Sequence, residues 1–418
     1  MGLPMVPTAA NLAALRADLD EVHRSTVSML SARHYRHLVH LERWIWGLAI
    51  LGYATAWMGP NPIAIVALAL SQSGRWTILA HHILHRGYDR FSFAARRHTS
   101  RGFAQGWRRF IDWPDWMVPR AWSFEHNVLH HGHTGERIDP DLVEKNWTAI
   151  RQLRCPVALK WFAVGFFAWN WKLTYYAPNT LWLLRQRSAL RDGPRTTRTD
   201  HVAASKPTRV YHGVGLLLPF SPAGRAFWLE CVLPNVLSRF VLVPLLFWPL
   251  GPEASMAVLV NSIAAEILTN LHTYATVVPN HAGEDLERFD RPPQNKAEFY
   301  YRQVVGSTNY PGGSPWRDFL CGYLNYQIEH HLWPNLPALA YREMAPAVRR
   351  VCEKHGVPYT VEPVWVRCMK TVAIMTGQSS MRTSPSPLES GGAAPEAAAV
   401  EGLPRGMSNR PTPSSPRT

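Results

Sequence analysis

Four apolar runs, joined in pairs by short turns, constrain this chain more than any other feature. Trp44 to Met58 leads into Gly59-Pro60-Asn61-Pro62 and a second run from Ile63 to about Leu84, with a polar break from Ser71 to Arg75. Ala226 to Leu250 leads into Gly251-Pro252-Glu253 and a fourth run from Ala254 to Val278. Crossing a bilayer takes roughly 20 apolar residues, so each run is near, or a little short of, one span. A Gly/Pro turn between two such runs predicts a membrane hairpin. Neither turn carries Lys or Arg. Basic residues crowd the other ends instead: Arg33, Arg36 and Arg43 before the first run, then Arg86, Arg96, Arg97, Arg108 and Arg109, and later Arg288, Arg291 and Lys296. Positive charge stays on the cytosolic side, which places both turns outside and everything else in the cytosol. The expected fold is all-α and integral to the membrane. About four transmembrane helices form two hairpins, about residues 44–84 and 226–278, beneath a cytosolic helical cap.

Composition agrees with large water-facing parts on a membrane protein. Eighteen Trp stand beside a net charge of +14 and a mean hydropathy of only -0.16. A basic chain invites a nucleic-acid reading, but here the basic residues flank apolar segments, where anionic lipid headgroups are the simpler partner. No nucleic-acid partner is expected. Cys155, Cys231, Cys321, Cys352 and Cys368 are scattered without metal spacing and read as reduced structural thiols.

Residues 1–40 lack a signal-peptide pattern and predict a cytosolic helical segment, with Leu12, Leu15, Leu19 and Val22 on one stripe. The membrane domain is expected over 41–372, with a long cytosolic region at 86–224. Val157 to Trp171 is apolar enough to lie in the interface or to enter the membrane, and the sequence leaves both open. From Gly377 the chain turns into a Pro, Gly, Ser and Ala mixture, expected to be a disordered tail over 377–418.

Nineteen histidines are present, and many fall in four patches. These are His81-His82-Ile83-Leu84-His85, His126-Asn127-Val128-Leu129-His130-His131, the looser His272 and His281, and Gln327-Ile328-Glu329-His330-His331. Residues four apart on a helix share a face, so His81 with His85, and His126 with His130, can each grip one metal. A histidine one position further on points about 100° away and reaches a second metal. Imidazole suits iron, zinc, copper or nickel, and without cysteine ligands an iron-sulfur or structural zinc site is disfavoured. Two spans separate the second patch from the third, so all four patches fall on one side of the membrane. A single histidine pair at a membrane surface is more often a headgroup contact. Three tight pairs on one side are not. His133, His23, His34, His37 and His40 lack such support and read as ordinary side chains.

The three tight patches resemble the histidine boxes of the membrane fatty-acid desaturase family: HxxxH at 81–85, HxxxHH at 126–131, and QxxHH at 327–331. The resemblance spans about residues 40–370. It implies a di-iron centre in the cap, held by His81, His85, His126, His130, His131, His330 and His331, with His281 as the further ligand after the fourth span. His82, His272 and Gln327 are secondary candidates, Gln327 standing where some relatives have histidine. The QxxHH form is similar to front-end desaturases, although no HPGG haem motif of a fused cytochrome b5 is present; Tyr310-Pro311-Gly312-Gly313 has Tyr in the histidine position.

By that resemblance two Fe ions and O2 desaturate an acyl chain of a membrane lipid or other acyl substrate lying in an apolar tunnel. Two electrons come from an external donor, a cytochrome b5 or ferredoxin with its reductase, because the chain has no haem, iron-sulfur or dinucleotide motif of its own. Arg96, Arg97, Arg108 and Arg109 are expected to offer that donor a basic docking surface. A hydroxylase or ketolase using the same oxidant remains the nearest rival. A metal transporter would keep its histidines near the bilayer midplane. Glu125, Asp139, Asp141 and Glu329 are candidates to orient ligating imidazoles. Trp113, Trp116 and Trp122 are expected to anchor their segment at the membrane interface.

Overall fold

The helices of the computed structural model, which describes residues 8–192 and 215–383, begin and end where the sequence supplies caps and turns. In chain order the principal ones are α1 (Ala9–Met29), α2 (Ala32–Ala56), α3 (Pro62–Leu84), α4 (residues 119–133), α5 (Val157–Ala168), α6 (Ala177–Asp192), α7 (Pro222–Leu250), α8 (Pro252–His281), α9 (Lys296–Val305), α10 (Gln327–Leu332), α11 (Ala338–Lys354) and α12 (Val364–Thr376). The one sheet among the described residues is a parallel pair, β1 (Glu287–Arg288) with β2 (Arg382–Thr383).

Asn61 caps α3 by accepting from the Ala64 N–H at 2.7 Å, and Gly59 takes φ 127°, a conformation open to glycine. The turn's loose carbonyls are collected from across the bundle. Asn261 of α8 donates to Ala56 O and Gly59 O and accepts from the Asn61 N–H. α2 and α3 lie side by side at close range: a Cβ on Gly52 would meet Leu68 at 2.6 Å.

Among the described residues three helices are long and apolar enough to cross a membrane: α3, α7 and α8. The expected fourth does not meet that description. α2 has 25 residues, but Arg33, His34, Arg36, His37, His40, Glu42 and Arg43 occupy its first half, so its apolar part is too short to span alone. It also runs unbroken through residue 40, so no element boundary falls there. The polar break at 71–75 is no break either: α3 continues through it, its backbone widening into a π turn at Arg75–Ala80. In α7, π turns at Trp228–Val232 and Leu237–Leu242 precede Pro234 and Pro244, whose missing N–H groups an α-helix could not accommodate without loss.

Polar side chains tie the apolar helices together. Arg239 on α7 donates to Glu266 on α8 at 2.5 Å and to Gln72 on α3. Glu266 also accepts from Trp116 Nε1 at 2.6 Å and from Asn270 at 3.1 Å. Beside this network Lys172 pairs with Asp115, with its ammonium 5.0 Å from the Trp76 ring centre. Trp113, Trp116 and Trp122 are therefore not interface anchors. All three are buried, and Trp122 lies among the histidines. Trp116 bonds Glu266 of α8, and Trp122 packs on Trp113 and on His81 of α3, so their indole surface goes to the core.

The cap is built on α9, α10 and α11. α1 joins it, burying Leu12, Leu15 and Leu19 while Asp18 pairs with Lys354 and Asp20 with Lys296 and Tyr300. α5 has 12 residues, fewer than a span needs, and packs on α12. Of the expected basic surface, Arg109 turns inward to backbone carbonyls of Asp115 and Met117, Arg97 pairs with Glu42 and Arg108 with Asp112, and Arg96 and Arg97 remain exposed. Order also extends beyond 377. Arg151 donates to Ser379 O at 3.1 Å and to Ser380 at 2.9 Å, and Met381 is buried. The remainder of the expected tail, 384–418, and residues 193–214 of the region between the hairpins lie outside the described residues.

Two expectations follow. Glu266→Ala leaves Arg239 buried without its partner, which should cost about 3–5 kcal/mol; thermal unfolding in detergent should show a lowered midpoint, largely restored in the double variant with Arg239→Met. An unchanged midpoint would mean the pair is not holding α7 to α8. Ending the chain after Thr383 should leave stability and activity intact, whereas ending it after Thr376 should lower both by removing the Met381 and Arg151 contacts.

Candidate metal centre

The expected histidines converge from four elements. His81 and His85 stand at the end of α3; His126, His130 and His131 on α4; His281 at the end of α8; and His330 and His331 on α10. They sort into two groups whose ring nitrogens lie within 4.8 Å of one another and could each hold a metal ion: His81, His85, His126 and His330, then His130, His281 and His331. His131 stands between the groups, its ring centre 4.5 Å from His85, 4.7 Å from His330 and 4.2 Å from His331.

Local backbone decides this sorting. His81 and His85 share a group, as four-residue helical spacing predicts, and the adjacent His330 and His331 divide between the groups. His126 and His130, expected to grip one metal together, do not share either of the two principal groups. α4 passes through a π turn at Glu125–His130, and their rings stay stacked at 5.2 Å. The two do come together in a third group of the same kind, with Asp141.

The donors suit a soft or borderline transition metal. His81 Nε2 and His330 Nε2 face each other at 2.8 Å, which two lone pairs do not tolerate without a proton or cation between them. His85 Nε2, His331 Nε2 and both ring nitrogens of His126 and His131 are buried without a hydrogen-bond partner among the described residues. Leaving one buried polar group unsatisfied costs about 1–3 kcal/mol, so such a cluster makes physical sense as a coordination shell. Burial, reinforced by neighbouring imidazoles, holds the pKa values of His126, His131, His330 and His331 well below the ordinary histidine value. They are neutral at physiological pH, the form that ligates a metal.

Surrounding groups fix several rings. His130 Nδ1 lies 3.0 Å from Asp139 Oδ1 and 3.8 Å from Asp141. Burial opposes a charge on His130, but Asp139 outweighs it and its pKa stands above the ordinary value. His331 Nδ1 meets Gln303 Oε1 at 3.0 Å and Thr134 Oγ1 at 3.1 Å; His330 Nδ1 meets Tyr341 OH at 3.3 Å; His281 Nδ1 donates to Gly306 O at 3.0 Å. Trp122 stacks on His126 with ring centres 4.6 Å apart. Of the four carboxylates expected to orient imidazoles, only Asp139 does so closely. Glu125 accepts from Tyr176 OH, and Glu329 from Tyr359 OH and Asn309. Burial pushes Glu329 up to about 7 despite those donors. Gln303, Tyr341 and Gly306 had no local signal, since they lie far from their partners in sequence. Thr134, just past the end of α4, is equally remote in sequence from His331.

The secondary candidates stand at the edge. Gln327 Nε2 lies 2.9 Å from His281 Nε2. His82 turns Nδ1 to Ile78 O, and His272 bonds Ser73. Neither belongs to a group. His23 stacks on Trp333, His34 meets Glu343, His37 meets Tyr323 OH and His133 meets Glu136, ordinary packing and polar roles.

A cavity of about 70 Å³ opens on this cluster. His81, His126, His130, His281 and Gln327 line one part, and the rest is mostly aromatic and aliphatic, including Trp76, Trp122, Phe167, Trp171, Tyr176 and Val278. The arrangement pairs a buried multi-imidazole site with an apolar slot.

Comparison with known proteins gives the same picture. The Fatty acid desaturase family model matches residues 55–363. The NADPH-dependent stearoyl-CoA 9-desaturase of Mycobacterium tuberculosis is 25% identical over 378 residues, covering 87% of this chain and 79% of the relative. The sn-1 linoleoyl-lipid 6-desaturase of Arthrospira platensis is 25% identical over 332 residues, covering 76% of each. Fatty acid desaturase 3 of Bos taurus is 52% identical, but over 46 residues and 11% of this chain. No solved structure matches. With the family model matched over most of its length and the histidine boxes brought together at one buried site, the chain belongs to the fatty acid desaturase family and is a membrane oxidoreductase that acts on acyl chains.

Proposed function

We propose that the enzyme inserts a carbon-carbon double bond using O2 and two iron ions held by His81, His85, His126, His130, His131, His281, His330 and His331. The observation that carries this reading is the pair of buried imidazole groups, with His131 between them, beside an apolar cavity. His82, His272 and Gln327 are left out of the ligand set, Gln327 acting through its contact with His281. Iron bound there would supply an oxidant strong enough for unactivated methylene C–H bonds. Removing one hydrogen atom from each of two neighbouring carbons leaves the alkene. O2 takes those two electrons and two more from outside, with two further protons, and leaves as two waters.

The protein's own part is positioning. Asp139 fixes the His130 ring; Thr134 and Gln303 fix His331; and Trp122 presses on His126. The aromatic walls exclude water and hold the chain, so that the carbons nearest the histidines are always the same ones. The outside electrons come from a separate donor, a cytochrome b5 or ferredoxin with its reductase. This is supported by the absence of a haem, iron-sulfur or dinucleotide motif in the sequence.

In the membrane, α3, α7 and α8 span, and the apolar half of α2 completes a first hairpin with α3 as α7 does a second with α8. Their turns face outward and the histidines face the cytosol, a reading supported by the Lys- and Arg-free turns and the basic opposite ends. Residues 41–372 then form one catalytic unit, with α1 folded against its cap.

Purified enzyme should carry about two irons per chain, and expression in a host should add double bonds to its acyl lipids. His85→Ala, His130→Ala and His331→Ala should each abolish product without preventing membrane insertion. Stoichiometric zinc with no iron, despite ample iron during growth, would refute the centre. Asp139→Asn and Gln303→Ala should be milder, losing roughly 10- to 100-fold in metal retention or turnover; full activity in Asp139→Asn would show that the His130 ring needs no carboxylate.

A further inference from the structure

The cavity leads to one corner of the fold, and that corner is dressed for lipid. Trp76, Trp171 and Tyr176 in its lining are buried, whereas Trp147, Phe167 and Tyr175 are partly exposed, as are Asp141, Asn146, Val277, Val278 and His281; the three aromatics form one side of the opening. Phe167 meets Trp147 edge-on at 5.1 Å and Tyr175 at 5.6 Å. On the same helix, α5, Phe162 is 74% exposed and Phe166 56%. Leu159 and Trp161 are exposed there too, as is Trp169 just past its end, and α12, packed on α5, adds Trp365 and Met369.

This surface continues a membrane-spanning one. α8 touches both α5 and α12, and Met256, Val260, Ile263, Ile267 and Leu271 make an exposed apolar stripe along it. At 1.5 Å per residue α5 is about 18 Å long, against a hydrocarbon core of about 30 Å. It cannot span, and an apolar, Trp-bearing helix beside a span lies in the interface. Exposed apolar patches of this extent have an occupant.

Charge at the mouth points the same way. A coenzyme A thioester brings several phosphates, which proteins hold with free Arg and Lys. Among the described residues no Lys or Arg lines the cavity, and its one carboxylate, Asp141, would repel phosphate. Arg151 and Lys160 stand close by but face inward. Arg151 donates to Ser379 O and Glu144, and Lys160 to Arg151 O at 2.8 Å and Thr376 O at 3.1 Å.

We infer that the substrate is an acyl chain still esterified in a membrane lipid, which enters sideways from the bilayer past Phe167 and Trp147 while its headgroup stays in the interface beside α5. The inference rests on the desaturase reading. A sideways path never exposes the chain to water, so it avoids the cost of hydrating each methylene. It also leaves CoA thioesters outside.

The test uses membranes of an expressing host. In one arm their lipids are labelled beforehand with a deuterated saturated fatty acid and the small-molecule pool is washed out; in the other, unlabelled membranes receive the deuterated acyl-CoA. Both are given NADPH and O2, and intact lipids and thioesters are read by mass spectrometry. Labelled double bonds should appear in the intact membrane lipids and not in the thioester. Desaturated acyl-CoA with untouched prelabelled lipid would overturn the inference while leaving the desaturase reading standing. No double bond in either arm, nor in the lipids of the living host, would instead remove the desaturase reading. Phe162→Glu with Phe166→Glu should lower lipid turnover by at least about tenfold with iron content unchanged; normal turnover would overturn the entry route.

Discussion

Bringing many imidazole nitrogens together out of water is the demand that shapes this protein. A neutral imidazole left without a partner is costly in the interior, and several here have no partner but one another. A cluster of this kind persists only if the surrounding fold is rigid enough to hold it and if a cation repays the desolvation. Much of the structure serves the first condition. α3 and α8 deliver histidines at their ends, α4 and α10 close over them, Trp122 packs on His81, and Tyr341, anchored to the Trp333 carbonyl, meets His330.

The same demand explains the polar chemistry within the apolar helices. Helices that merely float in lipid have weak reasons to hold one relative position. Arg239, Glu266 and Gln72 give α7, α8 and α3 a specific one, and Asn261 locks the turn between α2 and α3 to α8. Since His81, His85 and His281 sit at the ends of two of these helices, a slip of one against another would separate the groups.

The site joins two environments. One side is a closed imidazole cluster and the other an aromatic slot leading to α5 and α12, elements that the sequence placed only loosely. α5 looked able either to enter the membrane or to lie along it, and its 12-residue length, its packing on α12 and its outward Phe162 and Phe166 favour the second. The indoles differ in the same way. Composition says that they are many, but only packing separates Trp122, pressed on a histidine, from Trp161, facing outward.

By itself the sequence determined the helical class, the positions of the apolar runs and the identity of the histidines that meet, because hydropathy and box spacing are local signals. His81 with His85 and His330 with His331 follow from helical geometry alone. What tertiary structure decided is what local signals do not carry. His126 and His130 keep the shared face that four-residue spacing predicts, their rings stacked at 5.2 Å, but through the π turn at Glu125–His130 each also joins a different imidazole group, His126 with His81, His85 and His330 and His130 with His281 and His331. Gln303 and Tyr341 reach their histidines only through the fold, and Arg97, Arg108 and Arg109 turn to partners in the protein that charge counting does not reveal. The order that runs past Gly377 to Thr383 is of the same kind: a stretch too polar to make its own core is held by Arg151 and Glu144 of a distant segment, and a composition-based reading has no access to such a contact.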